Sequence, residues 1–524
     1  MGNDFMTEKE QEKLLDGDEL ESTGSSRNSF MMSPLLPTTS LAKPVRPVYL
    51  QENFEISGRL KALVWNGSSH LSSNAVASWA LLLVPSFLRH TRKTVIHPTS
   101  WLDGLRGVAS FIVFIHHFIL FWYTDLNYAY GTPDQKSWNF FQFPFMRVLY
   151  GGRGMVCIFF VVSGYALSYS PLRKMRNRDY EPLLHSLASS LFRRGLRLFI
   201  PVLACTFVSL LINRQGFAIT SMAGPGPQGT FFEQLKDWWW QFVLISNPVQ
   251  TTDPNTVYSH PYAFQLWTIP REYRGSLCIY LMALCLATTT GTIRLVLIAF
   301  SAHYLLWISN WDLYLFSMGM LFADLQLKFN DIAQSPRLPR LLNFVPSAIR
   351  RRSDAIILTL SAFVTLLSVH FLTLPDMSAE TAPGYATMIA WTPKGYDGTN
   401  LTQRFWLCMG SVMIVGVFCF CPPLFRNSKT PFYQIPFNTP FAQYLADISY
   451  ALYCVHPHIV FTFGDKILQS YAGETGMSYL SGFLMAAVVN FTLTFWWADL
   501  FWRAVDMKSV TIGKWVAKMC FVKL

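Results

Sequence analysis

The feature that most constrains this chain is a series of long apolar stretches separated by polar loops whose basic residues gather on alternate sides. A helix needs about 20 apolar residues to cross the hydrocarbon core of a bilayer. Ten stretches approach that length: 105–124, 149–170, 196–213, 270–290, 292–309, 312–328, 354–374, 403–423, 441–464 and 478–502. The fifth and sixth are short and are divided only by Asn310-Trp311. Inside a bilayer each backbone polar group must be satisfied within the protein, which selects helices for stretches of this length. The expected fold is an all-α polytopic membrane protein of about ten transmembrane helices. Only 14% of the 524 residues are charged, against roughly 25% in soluble domains. The net charge of +11 does not point to nucleic acid, because the basic residues lie in short loops where they orient a membrane protein.

Topology follows from those loops. Arg173, Lys174, Arg176 and Arg178 follow the second stretch; Arg337, Arg340, Arg350, Arg351 and Arg352 follow the sixth; Arg426 and Lys429 follow the eighth. The tail adds Arg503, Lys508, Lys514, Lys518 and Lys523. In a ten-span arrangement all of these share one side, which the positive-inside rule makes cytosolic, and both termini with it. The 375–402 loop is on the other side, with Asp376, Glu380, Asp397 and a glycosylation sequon at Asn400-Leu401-Thr402. A second sequon, Asn490-Phe491-Thr492, is inside a span.

Residues 1–72 read as a cytosolic, largely disordered arm, polar and without the apolar core of a signal peptide. Glu10 with Leu14 and Leu15 resembles an acidic dileucine signal. Residues 73–99 form an interfacial segment, 100–514 the membrane domain, and 515–524 a short cytosolic tail. Eight of the nine cysteines lie in the apolar stretches, and no spacing suggests a disulfide framework or a metal site. Phe231 to Ile245, with Trp238, Trp239 and Trp240, reads as an amphipathic interfacial helix. It is either an anchor or, as the sharper reading, a lid over a cavity.

The most informative stretch is SWLDGLRGVASFIVFIHHF, Ser100 to Phe118. It enters an apolar helix through Asp103 and Arg106 and carries His116 and His117 to membrane depth. Ionisable groups there are costly and face a cavity, a partner or a substrate. Arg106 and His117 are eleven positions apart, which is ~16 Å of helical rise and ~20° past three turns. They share a face, with the cation near the interface and the imidazole deeper. A histidine held by a neighbouring helix and an arginine snorkelling to headgroups explain the same pattern without chemistry.

Further polar groups repeat that choice. Arg193, Arg194 and Arg197 form one helical patch suited to phosphate or to simple inside anchoring. Arg153, in the glycine-rich GGRG start of the second stretch, is grouped with them as a candidate for cofactor binding. Ser163 and Tyr165 are polar groups further along it. Arg271, Glu272 and Arg274 begin the fourth stretch, where Glu272 is either a structural ion or a substrate-positioning acid. Ser449, Tyr453 and His456 are spaced by four and three and make a polar stripe on the ninth, accompanied by Tyr450 and His458.

Five of these segments, in this order, resemble the acyltransferase-3 family of integral membrane acyltransferases, and specifically its fungal members. They are WLDGLRG with the double histidine, IFFVVSGYALS, RRGLRLFIP, LWTIPREY and ISYALYCVHP. The resemblance runs from about Ser100 to Lys514. It maps the family's arginine–histidine motif onto Arg106 and His117, and implies a ten-helix core that takes an acyl group, commonly acetyl, from acyl-CoA on the cytosolic side to a hydroxyl acceptor. Cys157 stands where many bacterial members have an acid, so that acid's role does not carry over. No fused external hydrolase-like domain is expected after the tenth stretch.

On that resemblance His117 is expected as general base, with Arg106, His116 and Glu272 at the catalytic centre. Arg153, Arg193, Arg194 and Arg197 are expected at the phosphates of CoA, and Ser163, Tyr165, Ser449, Tyr453 and His456 on the acceptor side. Acyl-CoA is a co-substrate; no permanently bound cofactor and no metal are expected. The same intramembrane Arg, His and Glu residues also suit a transporter's path, although no internal repeat supports it. Another membrane O-acyltransferase fold with a buried histidine, and a catalytically dead sensor, are further alternatives.

Overall fold

The computed structural model describes residues 83–89, 96–133, 138–217, 225–249, 258–334, 347–423 and 430–521. The arm 1–72 with its dileucine, most of 73–99, and Arg337, Arg340, Arg426, Lys429 and Lys523 lie outside the described residues. Among those described there is no strand. The long helices are α1 (Ser100–Trp122), α2 (Gly152–Asn177), α3 (Tyr180–Arg214), α4 (Phe231–Ile245), α5 (Thr268–Cys285), α6 (Gly291–Trp307), α7 (Trp311–Gln334), α8 (Ser347–Leu372), α9 (Thr399–Phe420), α10 (Pro440–Ile459), α11 (Tyr479–Phe501) and α12 (Met507–Cys520). Each of the ten apolar stretches overlaps one of them.

Among the described residues six segments are long and apolar enough to cross a membrane: Ser100–Trp122, Gly152–Asn177, Tyr180–Arg214, Ala355–Leu372, Asn400–Phe420 and Tyr479–Cys520. That is fewer than the ten expected spans, and the reason is physical. Of the other four helices, α6 is short, α5 and α7 carry several charges, and α10 is lined with polar groups. These are the helices that carry much of the buried polar chemistry.

Local sequence sets several boundaries. Helix α2 ends at Arg178, whose φ of 62° is left-handed. A second left-handed residue, Ser309, separates α6 from α7 where only two polar residues mark the break in sequence. Helix α3 begins four turns before its apolar stretch, because Leu183 and Leu187 already face inward from a polar surface. Helix α4 has the expected bounds; Thr230 and Glu233 close a capping box at its start. Trp238 is buried and donates its indole N–H to Thr206 Oγ1 at 3.0 Å, while Trp239 and Trp240 remain exposed. The 514/515 boundary falls inside α12.

Two helix pairs approach through glycine. A Cβ on Gly107 of α1 would lie 2.3 Å from the backbone nitrogen of Ala446 on α10. A Cβ on Gly319 of α7 would lie 2.1 Å from the carbonyl oxygen of Val161 on α2. Neither contact admits a side chain, so small residues are what let these backbones meet. Upstream of α1, Ser86 donates its backbone N–H to Asp499 of α11 at 3.1 Å, and Arg503 holds the same carboxylate at 2.7 Å.

Helix α7 is fixed by ions as well. Asp324 is fully buried and accepts from Arg176 of α2 at 2.7 Å and from Arg294 of α6 at 2.8 and 2.9 Å. Asp312, also fully buried, accepts two short bonds from Arg274 of α5 at 2.6 and 2.7 Å, with Arg271 at 3.6 Å. Removing one member of a buried ion cluster strands the others, at about 3–5 kcal/mol. Asp324→Ala is therefore expected to lose most monodisperse protein in fluorescence-detected gel filtration. Full recovery at the wild-type melting temperature would show that Arg176 and Arg294 need no counter-charge.

Candidate active site

Helix α1 carries His117 against α10. His456 Nδ1 lies 3.0 Å from the carbonyl of Leu452, and His456 Nε2 lies 2.9 Å from His117 Nδ1. A carbonyl only accepts, so His456 carries its proton on Nδ1. In the neutral ring Nε2 is then an acceptor, and the bond to His117 needs the His117 proton on Nδ1. His117 Nε2 is left with an open lone pair. The two imidazoles stack with centroids 5.0 Å apart, and Phe264 (5.5 Å) and Phe461 (6.5 Å) flank His117. His456 is fully buried.

His116 turns away from this pair. Its Nδ1 donates to the Tyr150 carbonyl at 2.9 Å, which again leaves Nε2 as an acceptor. It lines a small cavity with Arg147, Arg153, Asp376 and Gln403. Arg153 pairs with Asp376 at 3.2 Å and donates to Gln403 Oε1 at 2.6 Å, while Gln403 donates to Asp376 at 2.7 Å. Arg147 ties the loops around the cavity to one another, donating to the carbonyls of Thr373, Leu126 and Tyr128 at 2.7–3.0 Å. Burial opposes ionisation of Asp376, but Arg153, His116, Gln403 and Arg147 outweigh it and hold the carboxyl below its ordinary value.

Arg106 sits toward the other end of α1, 3.6 Å from Asp103 and within electrostatic reach of Arg197 and Asp506. The expected arginine patch divides. Arg193 donates to its own helix at Ser189; Arg194 pairs with Glu272 and reaches Ser276 at 3.1 Å; Arg197 is exposed beside Arg106. Arg153 is not part of this patch. It lies with His116, ten residues from Arg106 along α1, which is ~15 Å of rise. Glu272 faces Arg194 rather than the flanking Arg271 and Arg274, which turn to Asp312.

The remaining expected residues serve contacts between segments. Ser449 donates to Ala446 at 2.9 Å, and its carbonyl accepts from Ser110 of α1 at 2.8 Å. Tyr453 donates to the Gln265 carbonyl and lies 2.6 Å from Thr268 Oγ1. Tyr165 packs on Trp101 and Tyr169 at the Arg106 end of α1, and Ser163 is half-buried on α2. Cys157 is buried in hydrogen-bonding range of Cys408 and Arg404. Arg404 itself lies between the indoles of Trp267 and Trp311, at 4.6 and 4.8 Å. Of the expected stripe on α10, only His456 reaches His117. Among the described residues no cluster of His, Cys, Asp or Glu is built to hold a metal.

Sequence reasoning missed Asp376, Gln403 and Arg147. Asp376 was visible only as one acid in a base-poor loop. A Ser–His pair also escaped it: His458 Nε2 lies 2.9 Å from Ser209 Oγ. Trp497 donates to His458 Nδ1 at 3.2 Å, so the ring proton is on Nε2 and points at the serine. That tautomer cannot take the hydroxyl's proton.

A family profile described as an acyltransferase domain matches residues 99–503. The chain is 29% identical over 458 residues to O-acetyltransferase PaAT-1 of Phomopsis amygdali, covering 83% of this chain and 88% of that protein. It is 23% identical over 440 residues to acyltransferase clz18 of Cochliobolus lunatus, covering 76% and 90%, and 22% identical over 447 residues to acyltransferase R4 of a Phoma species, also covering 76% and 90%. No solved structure matches.

The depressed ionisation of Asp376 gives a pH test. A carboxyl held below its ordinary value stabilises the fold above about pH 4 and loses that contribution as pH falls through its native value. The melting-temperature gap between wild type and Asp376→Asn is expected to be constant from about pH 5 to 8 and to close below about pH 4. A gap that persists at the acid end would mean that shape, not charge, makes Asp376 stabilising.

Proposed function

Because the chain belongs to this family of membrane acyltransferases, and is thus an O-acyltransferase, we propose that it moves an acyl group, acetyl foremost, from acyl-CoA to a hydroxyl of a small-molecule, lipid or carbohydrate acceptor. Family membership makes the chain an enzyme and removes the transport reading of the same residues. The observation that carries the chemistry is the fixed tautomer of His117, whose Nε2 is held as an acceptor by the bond from Nδ1 to His456.

In this reading the acceptor hydroxyl gives its proton to His117 Nε2 as its oxygen attacks the thioester carbonyl carbon. The carbon–sulfur bond breaks, and the imidazolium returns the proton to the departing thiolate, giving the ester and free CoA. No covalent enzyme intermediate is needed. His456 keeps the imidazole oriented and accepts the Nδ1 hydrogen bond throughout, a supporting role of the kind that holds a catalytic histidine in its working tautomer. Arg106 and Arg197 serve the phosphates of CoA, with Arg193 and Arg194 beside them. His116 and the Arg153–Asp376–Gln403 cluster form a polar chamber next to the base.

The proposed topology has ten spans with both termini cytosolic. It is supported by the distribution of basic loops and by a long helix overlapping each apolar stretch. The arginine end of α1 then faces the cytosol and the acyl-CoA pool, and His117 lies toward the opposite face.

Thermal stabilisation of the detergent-purified protein by acetyl-CoA tests the donor, since a ligand that binds only the folded state raises apparent stability. Acetyl-CoA is expected to stabilise the wild type and His117→Ala, and to stabilise Arg197→Ala less. Transfer of radiolabelled acetyl is expected to fall at least about 100-fold in His117→Ala, the usual scale for a lost general base, and about tenfold or more in His456→Phe. Near wild-type transfer by folded His117→Ala would sink the base assignment. No effect of acetyl-CoA or CoA on stability would sink the donor.

A further inference from the structure

Two residues beyond His456, the chain borders a second cavity that the transfer chemistry does not use. It is small and is lined by Ser209 and Asn213 of α3, Tyr262 and Gln265 of the segment before α5, and His458 and Thr462. The remaining walls are apolar. Asn213 is 1% exposed and Gln265 2%. Neither the oxygen nor the nitrogen of the Asn213 carboxamide has a hydrogen-bond partner among the described residues, nor does Gln265 Oε1. The Gln265 nitrogen is engaged, donating to the Cys454 carbonyl at 2.8 Å.

The other polar walls are settled. His458 donates to Ser209, Ser209 donates to the Cys205 carbonyl at 3.3 Å, and Thr462 donates to the His458 carbonyl. What the cavity offers an occupant is therefore an amide donor from Asn213, the amide oxygens of Asn213 and Gln265, and no formal charge. Leaving a buried polar atom unpaired is costly, so three in one cavity mark a place suited to a polar occupant. A charged occupant would be stripped of water with nothing to balance it. Two of its walls continue directly into the surroundings of His117: Gln265 follows Phe264, whose ring flanks His117, and Pro457 follows His456.

We infer that this cavity is a specificity subsite for the acceptor. It takes a second, uncharged hydrogen-bonding group, a hydroxyl or a carboxamide, while the reacting hydroxyl lies at His117. The inference rests on the acyltransferase reading of His117. The enzyme then selects acceptors that carry two neutral polar groups on an otherwise apolar frame, and it rejects those whose second group is a carboxylate.

Straight-chain alcohols of graded length test this, each offered as the bare alcohol, the ω-carboxamide, the α,ω-diol and the ω-carboxylate, with acetyl-CoA as donor. At the length that spans from His117 to Asn213, the carboxamide and diol are expected to show a KM about tenfold below the bare alcohol, the scale of a neutral hydrogen bond. The carboxylate is expected to be the poorest acceptor. Asn213→Leu, with Asn213→Ala alongside in case the larger side chain misfolds, is expected to erase the carboxamide-to-alcohol ratio. Equal KM values at every length, or a ratio that survives both substitutions, would mean a water-filled structural cavity, and the acyltransferase reading would stand without the subsite. If no alcohol is acetylated, thermal stabilisation decides. Stabilisation by the ω-carboxamide above that by the bare alcohol, lost in Asn213→Leu, keeps the subsite and removes the reading of His117 as base for hydroxyl acceptors of this kind. Absence of both effects overturns the subsite.

Discussion

The bundle depends on two buried carboxylates of one helix. Asp312 and Asp324 lie twelve residues apart on α7, at two depths, and each draws in arginines from other helices. A lone carboxylate at such a place is untenable, so the position of α7 dictates where α2, α5 and α6 must stand. The apolar surfaces alone leave those helices free to rotate and slide, because lipid tails compete equally well for them. Once α2 is fixed, α1 is held between it and α10, and the histidines acquire their surroundings.

Within that frame the chemistry is decided by hydrogen-bond direction rather than by the presence of imidazole. Four histidines, His116, His117, His456 and His458, lie in this half of the bundle, and each has a partner that sets its proton. The chain of donors from His117 to His456 to the Leu452 carbonyl leaves His117 basic at Nε2. The indole of Trp497 does the reverse to His458 and makes the neighbouring Ser209 a spectator. Two residues apart on one chain, the same side chain is assigned opposite capacities by what touches its far nitrogen.

Much of this was legible in sequence wherever the signal is local. The spacing of Arg106 and His117, the polar stripe that includes His456, the bounds of α4 and the break between α6 and α7 all follow from periodicity or from a few adjacent residues. The pairing of His117 with His456 was not, because nothing in either helix encodes which neighbour it meets. Arg153 shows the limit most clearly. Its charge grouped it with Arg193, Arg194 and Arg197, yet it sits at the start of α2 among loops, with its carboxylate partner more than two hundred residues away. Glu272 was bracketed by two arginines in sequence and found a third on α3. Asn213 and Gln265 gave no signal, since a single amide at the edge of an apolar stretch reads as an interfacial residue.

The contact between α1 and α10 also has a consequence for how the molecule is made. His117 and His456 are separated by 339 residues, which a ribosome working at about 5–20 residues per second needs roughly 20–70 s to traverse. Throughout that interval α1 holds an arginine and two imidazoles without the helix that completes them. On the proposed role of His117, a chain released early carries the imidazole without the partner that fixes its tautomer.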